Sequence, residues 1–153
     1  MSPPLREKAD VKAIIESIKD GTIDVIVTDH APHSENEKVD ISSCPNGIIG
    51  FETALKLGIT YLVDPGHITL TRLIELMSFN PSKLLGLDRG EIKVGAIADI
   101  TIFNKDIESV YTKESIVSKS KNSPYIGLKL KGQVTNTIVN GNLVYSRTKA
   151  GTS

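Results

Sequence analysis

Apolar residues Val11, Ile14, Ile15 and Ile18 recur at i, i+3, i+4 and i+7 and stop before Gly21. This spacing predicts a helix over about residues 9 to 20, ended by a glycine suited to left-handed backbone. The next run, Ile23-Asp24-Val25-Ile26-Val27-Thr28, is short and β-branched, bounded by Gly21 and Pro32. It predicts a strand buried on both faces. Helix, turn and buried strand in that order predict a parallel α/β unit.

From Asp29 to Gly47 periodicity fades among prolines, serines and acidic residues, so the stretch reads as a long loop, and long loops in compact domains are often functional. Ile49, Phe51, Ala54, Leu55, Leu57 and Leu62 support a second helix from Ile48 to Val63, closed by Asp64-Pro65-Gly66. Leu70, Leu73, Ile74 and Met77 mark a third. Asn80-Pro81 reads as the cap and first position of a short helix ended by Gly86. After Gly90 the period changes. Ala98 to Phe103 is strand-like, and Val134 to Val144 holds two strand runs joined by Asn140-Gly141, a hairpin signal. The expected organisation is an α/β segment over 1–88, a β-rich segment over 89–146 and a polar tail, Arg147 to Ser153, that frays.

The 153 residues carry 18 basic and 18 acidic side chains and are 39% hydrophobic, enough for one domain core. Zero net charge without a basic cluster argues against binding nucleic acid or an anionic membrane. No apolar run approaches the ~20 residues of a membrane helix, and the first residues lack a signal-peptide pattern, so a cytoplasmic location is expected. The single cysteine, Cys44, can form neither an internal disulfide nor a cysteine-rich zinc site.

Thr28-Asp29-His30-Ala31-Pro32-His33 places a carboxylate and two imidazoles just after the predicted parallel strand. Catalytic groups stand at that end of the strands in α/β barrels. A carboxylate there can ligate a metal and accept a proton from metal-bound water, so Asp29 suits both roles. His33, four residues on in a proline-constrained turn, could donate a hydrogen bond to an anionic substrate group. The same residues also fit an ordinary polar loop. Asn46, Gly47 and Ile48 fall at the predicted start of the second helix, where free N–H groups and the dipole favour an anion or serve only as a glycine-permissive entry. Glu52 reads as an acidic residue placed for the helix dipole, and His67 as a surface turn residue without a role.

Pro3-Pro4-Leu5-Arg6, Asp20 to Asp24 and Thr28 to His33 resemble motifs of bacterial and archaeal dihydroorotases. The likeness continues through Gly50 to Leu55, Asn80 to Leu87, Gly95 to Asp99, Ser118 to Pro124 and Thr137 to Gly141. The resemblance implies the last part of a TIM-barrel amidohydrolase domain followed by part of a small β-sandwich of structural role. It implies a zinc-dependent enzyme of pyrimidine biosynthesis that interconverts N-carbamoyl-L-aspartate and dihydroorotate. Asp29 matches the family's metal-ligating, proton-shuttling aspartate and His33 its substrate-binding histidine, while Asn46 and Gly47 approximate a backbone contact to the pyrimidine. Ser2 stands where these enzymes usually carry asparagine, a pattern shared with hydantoinases and dihydropyrimidinases.

The family's His-x-His pair, bridging ligand and further histidines have no counterpart in this sequence, and a complete barrel needs ~250 residues. The 153-residue chain alone is therefore expected to lack turnover. It is also expected to expose strand edges that call for a homo-oligomer or a complementing fragment. A non-catalytic module that binds aspartate carbamoyltransferase is the reading from a different functional class.

Overall fold

The computed structural model describes residues 7–40 and 42–147. Ser2 and the Pro3–Arg6 motif lie outside the described residues, as does the expected frayed tail from residue 148 onward. Arg147 itself is held by its N–H, which donates to Thr135 O at 2.7 Å.

Helix α1 (Lys8–Lys19) forms as the apolar spacing predicts, entered through a reciprocal cap between Glu7 and Asp10. Gly21 takes a φ of 87° and Ile23 N–H closes the turn onto Ser17 O. Of its apolar stripe only Ile18 is buried, and Val11 and Ile14 stand about half exposed.

The expected strand over 23–28 does not form. Val27 is 74% exposed, so the stretch is not buried on both faces either. A strand exists by pairing, and among the described residues no parallel neighbour lies beside this run. Its only ladder-like contact comes just after it, a parallel bridge between His30 and Ile48. The run is held from one side, by Ile26 N–H on Leu76 O at 2.9 Å and the Asn80 side-chain amide on Asp24 O at 2.7 Å.

The second helix begins later than the apolar pattern suggests. Helix α2 (Ala54–Gly58) starts after Thr53 and passes into a π-helical stretch, Ile59–Val63. Helix α3 (Leu70–Ile74) is capped by the Thr69 side chain, continues as a π stretch, Glu75–Phe79, and joins α4 (Asn80–Leu84) without a break. Asn80 is thus a helical residue and not a cap, and its amide is spent on Asp24. The widened turn precedes Pro81, whose ring removes an N–H and crowds the preceding turn. Gly86 ends this run as expected, with a φ of 65°. Gly58 lets α2 meet α3, since a Cβ there would stand 2.7 Å from the Leu73 side chain.

The β-rich segment is one antiparallel sheet ordered β1-β2-β3, with β1 spanning Ile100–Val110, β2 Lys129–Val139 and β3 Asn142–Ser146. Asn140 and Gly141 join β2 to β3 with φ of 49° and 77°, the double left-handed turn that the Asn-Gly pair favours. A second packed sheet is absent among the described residues. Between β1 and β2 an 18-residue arm, residues 111–128, leaves the sheet and crosses to the loop region. Its Tyr111 and Ile116 bury with Ile49 and Leu130, joining the sheet to the segment that carries Asp29.

Candidate active site

Asp29 stands exposed at the end of the unpaired run with a φ of 42°. Left-handed backbone is costly for a residue with a Cβ and persists where its surroundings hold it. The holding contacts lie on both sides, at Ile26 before it and at Ala31, whose N–H donates to Ile48 O at 2.8 Å.

His30 does not share the exposed position. Its Nδ1 accepts from the N–H groups of Gly50 at 3.0 Å and Phe51 at 3.4 Å, and its ring stacks on Phe51 at 3.9 Å. A nitrogen facing two donors carries no proton, so the neutral ring carries its hydrogen on Nε2 and keeps no lone pair there for a metal. The His33 ring is tied differently, through Nε2 on Asn46 O at 2.9 Å. A carbonyl only accepts, so Nε2 donates and Nδ1 is the nitrogen left for a ligand. Beside it, the Ser34 side chain and N–H hydrogen-bond the Glu37 carboxyl and hold it below the usual glutamate range.

Asn46 and Gly47 lie on the return limb of the 30–49 loop, well before α2, so the helix-dipole argument for an anion there is lost. Gly47 has a φ of 114°, and a Cβ on it would fall 2.4 Å from that of Ala31. The two limbs close at this glycine. Gly47 O accepts from Lys38 Nζ at 3.0 Å and from the Asn122 side-chain amide at 3.3 Å.

The arm between β1 and β2 supplies the remaining contacts. His33 N–H points at Ser120 Oγ, 3.0 Å away, and at Asn122 Oδ1, 3.4 Å away, while the Ser120 hydroxyl reaches back to His33 O. Asn122 Nδ2 donates to Ala31 O at 3.1 Å, and Asn122 O accepts from Ile49 N–H at 3.2 Å. Glu52 precedes the helix and does not serve its dipole. Its Oε1 accepts from the N–H groups of Val117 and Ser118 at 3.1 and 3.0 Å, which clamps the arm from the other side. The arm therefore reaches the loop that carries Asp29 and His33. The polar, aperiodic Ser118 to Pro124 stretch was the signal in the sequence, but its partners lie about ninety residues away.

No group of three or more His, Cys, Asp or Glu side chains able to hold a metal exists among the described residues. With the His30 ring committed to backbone N–H groups and a single His33 nitrogen left, the described residues do not supply a complete zinc centre. Asp29 fits as one carboxylate of a centre finished by groups from elsewhere.

The chain is 55% identical over 145 residues to a dihydroorotase of Acetivibrio thermocellus and 54% identical over 147 residues to one of Clostridioides difficile. Each alignment covers 94–95% of this chain and 34% of the relative, so the chain spans about a third of the length of the curated relatives it matches. Solved structures of similar shape include a D-hydantoinase (dihydropyrimidinase) from Thermus sp., with a TM-score of 0.88 and 28% identity over 95% of this chain and 33% of that one. An L-hydantoinase (dihydropyrimidinase) from Arthrobacter aurescens matches with a TM-score of 0.89 and 31% identity over 97% of this chain and 34% of that one. The family model that matches, over residues 3–144, is that of the amidohydrolase family. The chain belongs to the amidohydrolase family.

Proposed function

We propose that this chain supplies the aspartate loop of a dihydroorotase, the hydrolase of pyrimidine biosynthesis that interconverts N-carbamoyl-L-aspartate and dihydroorotate. The observation that carries the reading is an exposed carboxylate held in left-handed backbone, followed four residues later by an anchored imidazole, in a chain 55% identical to a dihydroorotase. Asp29 takes a proton and returns it to the amide nitrogen, acting as general base and then general acid. His33, Asn46 and Gly47 bind the substrate, with the free Nδ1 of His33 accepting from a substrate N–H. Zinc is the expected metal and supplies electrophilic activation of the amide when bound. Asp29 is one of its ligands, and the others come from outside this chain. Residues 1–88 form the end of a barrel domain and 89–146 a sandwich portion. The run at 23–28 takes its parallel neighbours from a complementing portion or a second copy.

Hydantoinase-like hydrolysis is the second reading, carried by the solved structures that match in shape. Their identities of 28 and 31% stand well below the 54–55% of the dihydroorotases, which favours dihydroorotate. The complete zinc enzyme that carries this segment, offered dihydroorotate, hydantoin and dihydrouracil, is expected to turn over dihydroorotate. Asp29→Asn should reduce that rate about a thousandfold or more, as expected for loss of a group that moves the reacting proton. Faster turnover of hydantoin would transfer the assignment to the second reading. Metal-free co-purification with aspartate carbamoyltransferase, without turnover, would favour a non-catalytic module. The 153-residue chain by itself should show no turnover.

A further inference from the structure

The arm between β1 and β2 places two side chains where they fix the backbone of the loop but stay clear of the Asp29 carboxylate. Ser120 is buried at 8% exposure, and its hydroxyl both faces His33 N–H and reaches His33 O, spanning the backbone of that one residue. Asn122 divides its amide. Its Oδ1 lies 2.6 Å from Ser120 Oγ and faces His33 N–H, while its Nδ2 reaches Ala31 O and Gly47 O, one carbonyl on each limb of the loop. A single amide thus bridges the limb that leads from Asp29 to His33 and the limb that carries Asn46 and Gly47. The His33 ring then completes the closure on Asn46 O.

We propose that Ser120 and Asn122 are positioning residues that set where the His33 ring and the Asn46-Gly47 limb stand. This rests on the substrate-binding reading of His33. Three observations support it. The contacts fall on the backbone of the very residues assigned to substrate. They are made by buried or half-buried groups, which lose a partner without water to replace it. The arm that carries them is also anchored away from the loop, by Glu52 on Val117 and Ser118 and by burial of Ile116 with Tyr111 and Leu130.

The test uses Ser120→Ala, Asn122→Ala and Asn122→Asp. The last keeps the Oδ1 acceptor and replaces the donor that bridges the two limbs with a charged acceptor. In the 153-residue chain, amide hydrogen exchange at His33 should rise about tenfold in Ser120→Ala and Asn122→Ala, roughly one lost hydrogen bond, and Asn122→Asp should raise it at Ala31, whose pairing with Ile48 loosens when the bridge between the limbs is lost. Exchange at Leu73 and Leu130 should stay unchanged, and the nitrogen resonances of the His33 ring should shift. In the complete enzyme the same variants should raise KM for dihydroorotate about tenfold and leave kcat within about twofold, because His33 binds and Asp29 reacts. Unchanged exchange and ring resonances would overturn the proposal, and so would an equal fall in kcat with KM unmoved. If Ser120→Ala and Asn122→Ala fail to fold, Asn122→Asp decides, and if it too exposes Leu73 and Leu130 the two residues belong to the core and the proposal fails. A wild-type enzyme that does not act on dihydroorotate would remove the functional reading while the exchange result stood on its own.

Discussion

Two β-branched runs of similar composition meet opposite fates in this chain. Ile100 to Phe103 becomes part of an eleven-residue strand, whereas Ile23 to Thr28 remains unpaired. The difference lies in where each finds a partner. β2 and β3 are joined by two residues and pair through the Asn140-Gly141 turn, and β1 pairs with β2 across the 18-residue arm, so every ladder of the sheet closes within the chain. The run at 23–28 has helices and a loop on one side, and Val27 points into solvent. Propensity proposes a strand, and only a neighbour's N–H and C=O groups make one.

The two regions nevertheless share one core, and Leu130→Ala tests that most severely. Leu130 is fully buried against Ile49, Tyr111 and Ile116, so truncation should cost about 2–5 kcal/mol. A single transition in urea, with amides of α3 and the sheet losing protection together, is expected. Separate transitions for the two regions would break the picture of a common core. Glycine substitutions sharpen the contrast at smaller cost. Gly47→Ala forces a Cβ against Ala31 within left-handed backbone and should cost about 2–3 kcal/mol. Gly132→Ala, in β2, is strained too, at a φ of 96°, but its Cβ meets only the side chain of Ile59, and the substitution should cost about 1–2 kcal/mol by the same denaturation measurement.

Acid should loosen the sheet at its hairpin. Asp99 accepts from Asn140 N–H at 2.7 Å and pairs with Arg89, which together hold its carboxyl below the ordinary 3.8. A lowered native value means that the contribution is present above the ordinary carboxylate value and is lost as pH falls through the lower one. Titrating the Asn140 amide resonance from about pH 5 to about pH 2 should show that loss, and Arg89→Ala should move the midpoint upward. The smallest effect is expected at the unpaired run. Val27→Lys should leave stability within about 0.5 kcal/mol because the side chain is already exposed. It should also abolish association with a complementing portion, measured by co-elution.

Much of the fold was legible in the residues themselves. The α1 stripe, the Gly21 and Gly86 stops and the Asn140-Gly141 hairpin depend on local spacing and on which residues tolerate left-handed backbone, and they form as read. Asn80 was misread because a helix cap and a mid-helix asparagine before proline look alike until the acceptor at Asp24 is known. Asn46 and Gly47 were misplaced for a related reason. The apolar pattern extends through Ile48 to Phe51, but those residues pack as loop, with Ile49 buried in the shared core, and the helix starts at Ala54.

By itself the sequence determined the chemical types on offer, a carboxylate and imidazoles in a tight loop, and the elements whose hydrogen bonds close within a few residues. The tertiary structure decided which of these groups are available. It spent His30 on the N–H groups of Gly50 and Phe51, directed the His33 ring to Asn46, and brought Ser120 and Asn122 across roughly ninety residues to hold the loop. Hydrogen-bond partners that distant are chosen by packing, which no local pattern encodes.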